Sequence, residues 1–338
     1  MPHRVTLKPS GHSYEVVEGA TVLQAGLDAG LQLPYSCRAG VCRTCRATVL
    51  EGTLDYGQVH PNYLPEADKA RGYALLCQAT ALTDLVVEVR ELAGLHGIRP
   101  KIMPARVERV ERPAPDVAVL GLKLPANAAF KFVAGQYLDV LLKEGKRRSY
   151  SIANAPADEG VGAHELHIRQ TPGGLFTEHV FSKMQVRELL RFEGPLGTFY
   201  LREDSSKPII LLASGTGFAP IKAIVEHMRA NGIERETTLY WGGRLERDFY
   251  MDELAKSWAG PRFRYVPVVS DEKWAGRMGF VHRAVMEDFP DMSGHQVYAC
   301  GAPIVIDSAR RDFSAQCKLP ADEFYADSFI TEADKAKA

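Results

Sequence analysis

With 338 residues, the chain is long enough for two or three domains rather than a single core. It carries 46% hydrophobic and 25% charged residues and a net charge of −1, so it has neither the basic footprint of a nucleic-acid binder nor the makeup of a disordered chain. No apolar run approaches the ~18–20 residues of a membrane span, and 6 cysteines are too few for a disulfide scaffold of this length.

Residues 1–93 read as a small β-rich domain. Strand-like runs at 4–7 and 13–18 flank the turn residues Pro9, Ser10 and Gly11. Thr21 opens a helix, Gln24 three residues on fits a capping box, and Gly30 fits its stop. Strands are expected again at 44–50 and 84–89, with one or two helical turns at 65–71. The alternation of the first seven residues, with no signal-peptide apolar region, predicts a cytoplasmic protein whose thiols stay reduced.

Inside this domain lies Cys37-Arg-Ala-Gly-Val-Cys42-Arg-Thr-Cys45, followed much later by Cys77. Four residues, then two, then a long gap is the plant-type [2Fe–2S] ligand spacing. Two irons bridged by two sulfides need four thiolates, and a tight loop can supply three. Gly40 sits where the backbone must bend close to inorganic sulfide, and loop N–H groups can point at the sulfurs. Structural zinc sites pair ligands as two C-x₂-C units, and Cys37 and Cys77 do not form one. Cys37, Cys42, Cys45 and Cys77 are therefore the expected metal ligands. Residues 1–93 carry 8 Lys+Arg and 10 Asp+Glu, a net of −2, which suits a tethered electron carrier better than a free shuttle. Arg38, Arg43 and Arg46 crowd the loop. They either offset the charge of the cluster or form a docking patch for an acidic acceptor.

Residues 94–103 mix Gly and Pro without period and read as a linker. Residues 104–203 then repeat short strand signals, at 105–110, 117–124, 136–142, 148–152, 165–170 and 189–193, which predict an antiparallel barrel. Here Arg148-Ser149-Tyr150-Ser151 resembles the R-x-Y-S flavin signature of the ferredoxin–NADP reductase superfamily. Arg148 offers a planar fork to a pyrophosphate and Tyr150 a flat amphipathic face. The resemblance gives Ser151 the place beside the flavin where hydride arrives. Downstream, Gly173-Gly174-Leu-Phe-Thr177 opens a helix, as a phosphate-binding turn does, and Gly174 and Thr177 match the superfamily's G-x-x-S/T motif for the FAD pyrophosphate. By the same resemblance His167, Ile168 and Arg169 lie on the strand beside the flavin and ribityl chain, and the Gly194–Gly197 turn is structural.

Residues 204–330 alternate strand and helix, which implies a parallel sheet covered on both faces. The first strand runs into Ser214-Gly215-Thr216-Gly217-Phe218-Ala219-Pro220, where glycines let the backbone approach a pyrophosphate. The match is to the superfamily's G-T-G-x-A-P turn rather than to a full Rossmann fingerprint. Cys300-Gly301-Ala302-Pro303 resembles its C-G-x-P, with Cys300 near nicotinamide C4 and flavin N5. Gly242-Gly243-Arg244 ends the strand that discriminates ribose from ribose phosphate. Arg244 and Arg247 alternate with Glu246 and Asp248, and no clean cationic pocket for a 2′-phosphate is visible, so NADH is expected over NADPH. Phe329 matches the position of an aromatic that covers the flavin ring, and the polar tail 331–338 is expected to be mobile.

The resemblance spans nearly the whole chain. It implies a multidomain α+β protein: a β-grasp [2Fe–2S] ferredoxin domain (1–93), a linker (94–103), an antiparallel FAD-binding β-barrel (104–203) and an α/β parallel-sheet NAD(P)-binding domain (204–330). The implied activity is that of an NAD(P)H oxidoreductase passing electrons from NADH through FAD, beside Ser151 and Cys300, to the cluster and on to a protein acceptor. That acceptor would be an oxygenase, hydroxylase or CDP-sugar dehydratase component. A monomer with neither nucleic-acid nor membrane partner is expected. Two other readings are a free-standing diaphorase that reduces small molecules and a redox-sensing iron–sulfur module.

Overall fold

The computed structural model describes residues 2–92, 95, 98–126, 128–157 and 164–330. The expected tail at 331–338 and residues 94, 96 and 97 of the expected linker lie outside them. By internal contacts the chain divides into two units: residues 1–97 with 326–338, and residues 98–325.

The first unit contains β1 (His3–Lys8), β2 (Ser13–Val16), α1 (Val22–Asp28), β3 (Arg46–Glu51), β4 (Leu54–Asp55), α2 (Glu66–Ala70), β5 (Tyr73–Leu75), β6 (Thr80–Ala81) and β7 (Leu85–Glu88). Its sheet runs β2-β1-β7-β3-β5, with β1 and β7 parallel and the other pairs antiparallel. The period of two explains the inner face: Val5 and Leu7, Tyr14 and Val16, and Leu85 and Val87 all turn into one core. α1 closes that core with Val22, Leu23 and Ala25. Thr21 caps it, its Oγ1 accepting from Gln24 N at 3.2 Å. The expected capping box is only half made, because the Gln24 side chain donates to Asp28 Oδ1 instead, at 2.8 Å.

The second unit opens with β8 (Lys101–Ala114), β9 (Val117–Lys123), β10 (Tyr137–Leu141), β11 (Arg147–Ser151), β12 (His164–Arg169), α3 (Leu175–Ser182) and β13 (Leu189–Leu196). The sheet order is β11-β10-β13-β8-β9-β12, antiparallel throughout. Among the described residues its ends are joined by a bridge between Ile152 and Leu166, with Ala153 N donating to Glu165 O at 2.7 Å beside it. Among the described residues the expected barrel is thus a curled sheet whose ends meet around this bridge rather than a continuous closed ladder. Residues 101–103, expected as linker, are strand: Lys101, Ile102 and Met103 pair with Gly194, Glu193 and Phe192. The prolines there masked an alternation in which Met103, Ala105 and Val107 point inward.

The same unit continues with β14 (Ile209–Ser214), α4 (Phe218–Ala230), β15 (Thr237–Gly243), α5 (Asp252–Ser257), β16 (Phe263–Val269), β17 (Arg277–Met278), α6 (Val281–Asp288), β18 (Gln296–Gly301) and α7 (Pro303–Gln316). The strands follow one another as β17-β16-β15-β14-β18, and each of these pairs is parallel. From β14 the chain moves outward through β15 and β16, then returns to β18 on the other side. That reversal makes the carboxyl ends of β14 and β18 the topological switch point, where open α/β sheets bind ligands. The last strand, β19 (Phe324–Ser328), carries the boundary between the two units.

Candidate redox sites

The cysteine loop leaves α1 and enters β3. Arg38, Gly40 and Arg43 all take positive φ, at 53°, 75° and 63°, and coil the backbone around the thiols. Ala39 N and Cys42 N donate to Cys37 Sγ at 3.4 Å, and Cys37 N donates to Cys42 Sγ at 3.5 Å. Gln78 Nε2 lies 3.8 Å from Cys77 Sγ. The thiols form two pairs. The hydrogen bond shared by Cys37 and Cys42 pushes the first up and the second down, and that between Cys45 and Cys77 raises Cys45 and lowers Cys77. Among the described residues no point gathers three metal-ligating side chains. Two irons held by two thiolates each require two pairs rather than a triple, so the donor set fits a [2Fe–2S] cluster. Segment 326–330 of the same unit borders the loop. Thr44 Oγ1 donates to Ala326 O at 3.2 Å, and Ser36 Oγ donates to Asp327, whose burial pushes its carboxyl up to about 7. No motif pointed to Asp327.

In the second unit, Ser151 at the end of β11 is buried, and its Oγ has no hydrogen-bond partner among the described residues. An orphaned buried hydroxyl is costly unless a ligand satisfies it, which fits a flavin at this strand. Tyr150 packs against Phe176 of α3, ring centroids 5.4 Å apart, and burial raises its hydroxyl pKa. Arg148 is half-buried, its Nη1 donating to Arg147 O at 2.7 Å. Gly173, at φ 72°, and Gly174 lead into α3, whose start is capped by no side chain. The Thr177 hydroxyl, expected at the pyrophosphate, is engaged inside that turn. It donates to Thr171 O (3.0 Å) and Gly174 O (3.1 Å) and accepts from Thr171 N (3.2 Å).

The three residues expected beside the flavin on β12 separate. Ile168 points into the apolar core of the sheet. His167 is fully buried with both ring nitrogens bonded, Nδ1 to Tyr250 OH at 2.7 Å and Nε2 to Glu165 Oε1 at 2.8 Å, so no ring nitrogen is left for a cofactor. Arg169 lies across the glycine turn: its Nη1 would be 3.4 Å from a Cβ at Gly215, and it pairs with Asp116 (3.4 Å) and Asp248 (3.8 Å).

The two turns at the switch point interlock. A Cβ on Gly217 would sit 2.1 Å from Cys300 O, and one on Gly301 would sit 2.5 Å from Ser214 O. Only glycine allows this approach of backbones. Thr216, Pro220 and Cys300 are buried around it. At the end of β15, buried Asp248 accepts from Arg244 N at 2.8 Å and Leu245 N at 3.2 Å, fixing that turn. Phe329 follows β19 and is half-buried.

Sequence reasoning missed the polar tie between the two sheets of this unit. Lys222 of α4 is buried, with Nζ 3.1 Å from Glu165 Oε1, 2.7 Å from Glu226 Oε1 and 3.1 Å from Ala153 O. Its one signal is a lysine in the apolar run Ile221-Lys222-Ala223-Ile224-Val225.

A paired-thiol loop, an orphaned hydroxyl on a flavin-type strand and interlocked turns at a parallel-sheet switch point define an NAD(P)H oxidoreductase that combines iron–sulfur, flavin and nicotinamide modules. Family models agree: the 2Fe-2S iron-sulfur cluster binding domain matches residues 5–82, the oxidoreductase FAD-binding domain 104–200 and the oxidoreductase NAD-binding domain 211–311. The CDP-6-deoxy-L-threo-D-glycero-4-hexulose-3-dehydrase reductase of Yersinia pseudotuberculosis is 41% identical over 98% of this chain and 99% of its own length. Terephthalate 1,2-dioxygenase reductase component 2 of Comamonas is 34% identical over 98% of both. A solved cytochrome P450 reductase of Amycolatopsis superposes with a TM-score of 0.78 at 33% identity, covering 97% of this chain and 99% of that one. The chain belongs to the family of single-chain ferredoxin-type reductases that these proteins represent. Among the described residues no helix is long and apolar enough to cross a membrane.

Proposed function

We propose that this chain is the electron-supplying component of a two-protein system, taking reducing equivalents from NADH and delivering them to a separate oxygenase, hydroxylase or CDP-sugar dehydratase component. The observation that carries this reading is the gathering of four thiols in two pairs, in a chain that also holds the interlocked Gly217–Cys300 and Gly301–Ser214 turns. When bound, FAD accepts hydride as an electron pair and releases electrons singly, and a [2Fe–2S] cluster passes them on at a potential of about −400 mV.

The chain's own residues bind and orient. Arg148, Tyr150, Ser151 and the Gly173–Gly174 turn would hold the flavin, and the unpartnered Ser151 hydroxyl would be available to donate to it. Thr177 acts one step back, by holding the Gly174 turn in shape. Gly215, Thr216 and Gly217 would receive the nucleotide pyrophosphate on backbone N–H groups, with Pro220, which has no N–H, shaping the first turn of α4 behind them, and Cys300 and Gly301 would border the nicotinamide. The Asp248 carboxylate at the end of β15 disfavours a 2′-phosphate there, which supports NADH as donor.

Anaerobic titration of the holoprotein with NADH and then NADPH, followed by visible absorption and EPR, tests this reading. Bleaching of the flavin bands with a rhombic reduced-cluster signal, at lower NADH than NADPH, is expected. Flavin bleaching without a cluster signal would favour a free-standing diaphorase, for which Cys42→Ser would leave physiological activity intact. No change in either would end the reductase reading.

A further inference from the structure

In the first unit one carboxylate is surrounded by three guanidinium groups. Asp68 of α2 meets Arg43 Nη2 at 3.3 Å, Arg46 Nη1 at 3.8 Å, and Arg71 Nη2 in a shorter contact. One carboxylate cannot neutralise three permanent cations, so these four side chains together carry a net charge of +2. Side-chain exposure rises outward, from 9% at Asp68 through 24% at Arg43 and 35% at Arg46 to 66% at Arg71. The cations therefore step from the protein into solvent around an inner anchor.

Their place in the chain ties this patch to the cysteine loop. Arg43 follows Cys42, and Arg46 follows Cys45. Tyr73, on the strand leading to Cys77, carries Arg46 at 4.4 Å and Arg71 at 5.5 Å from its ring centroid. Arg43 Nε also donates to Tyr63 O at 2.8 Å. These arginines are not arranged as counter-ions to sulfur. The sulfurs of Cys37, Cys42 and Cys77 take hydrogen bonds from backbone N–H groups and Gln78, while the guanidinium groups of Arg43, Arg46 and Arg71 converge on Asp68.

We propose that Arg43, Arg46, Arg71 and Tyr73 form the docking surface for an acceptor protein whose own face is rich in Asp and Glu. This rests on the electron-transfer reading above. Arginine and tyrosine dominate interface hot spots, and planar guanidinium forks match carboxylates. Ion pairing and stacking already order these side chains, so less rotamer freedom is lost when a partner arrives. Residual positive charge beside the electron exit also speeds encounter with an anionic partner.

The test uses the holoprotein with NADH and two probe acceptors of opposite charge, an acidic cytochrome b5 and a basic cytochrome c. At low salt, reduction of the acidic cytochrome should be the salt-sensitive one, slowing roughly tenfold as ionic strength is raised. Arg71→Glu should lower that rate about tenfold and remove its salt dependence, while raising the rate with cytochrome c. Arg71→Gln should fall in between. Cluster bleaching by NADH without acceptor should be the same in all three proteins. Rates with both cytochromes unchanged by Arg71→Glu would overturn the docking surface. Failure of NADH to bleach the cluster in the unmodified protein would instead defeat the electron-transfer reading on which it rests.

Discussion

Lys222 Nζ and Glu165 Oε1 lie 3.1 Å apart, both side chains largely withdrawn from water. Lys222 belongs to the helix after the glycine turn, and Glu165 to the antiparallel sheet that carries Ser151. Glu165 also receives His167, which reaches Tyr250 beyond β15, so two elements of the parallel half hold the same strand. Removing one member of such a pair leaves a buried charge and costs about 3–5 kcal/mol. Lys222→Met is expected to lose that much in chemical denaturation. Lys222→Met combined with Glu165→Gln should lose less than the two single changes added together. Additive losses would mean that the pair is not coupled.

His164 gives a pH signature. It packs against Phe130 and Phe132, and burial holds its pKa down to about 4 from 6.5. Between these values the unfolded chain binds a proton that the folded chain refuses. Stability therefore falls as pH drops from 6.5 to about 4, by up to about 3 kcal/mol from this residue. His167, lowered by burial as well, acts in the same direction below pH 6.5. Glu165, held near 2 with His167 and Lys222 beside it, loses its contribution only below 4.5. Denaturation midpoints of His164→Leu should show a shallower slope between pH 6.5 and 4 and an unchanged one below.

The interlocked turns predict a separable defect. Gly301 sits at φ 134°, and a Cβ there would meet Ser214 O at 2.5 Å. Gly301→Ala must displace the Ser214 turn or adopt a strained backbone, at ~1–3 kcal/mol. NADH oxidation should fall at least about tenfold, while the cluster EPR signal on dithionite reduction is retained. Equal loss of both would mean that the substitution unfolds the chain rather than the turn.

Cys317 provides the control for the cluster thiols. It ends α7, far in sequence from the loop, and burial raises its pKa. Cys317→Ser should keep the visible spectrum and the NADH-reduced EPR signal of the unmodified protein, whereas Cys45→Ser should lose the signal. Loss in both would break the assignment of the four ligands.

Ligand spacing, glycine turns and period-two alternation act through neighbours in sequence, which is why the cysteine loop, the Gly215–Gly217 turn and most strands were legible. The alternation of strand and helix over residues 204–330 was readable in the same way. What escaped depends on distant partners. The neighbours of His167 do not reveal Tyr250, 83 residues on, whose hydroxyl lies 2.7 Å from its Nδ1. Strand pairing at Lys101–Met103 is decided by Gly194, Glu193 and Phe192, so local Gly and Pro content misled. Asp68 was unremarkable until Arg43, Arg46 and Arg71 were seen around it.

Trp241 holds the glycine turn from behind. Its indole Nε1 donates to Gly215 O at 3.0 Å, and its ring lies flat on Phe218, centroids 3.9 Å apart. Anything that settles on the turn and shifts the Gly215 carbonyl also disturbs this hydrogen bond, and with it the surroundings of the indole. The protein thus contains its own lamp at the nucleotide turn, and occupancy there can be followed by ultraviolet fluorescence without dye or label.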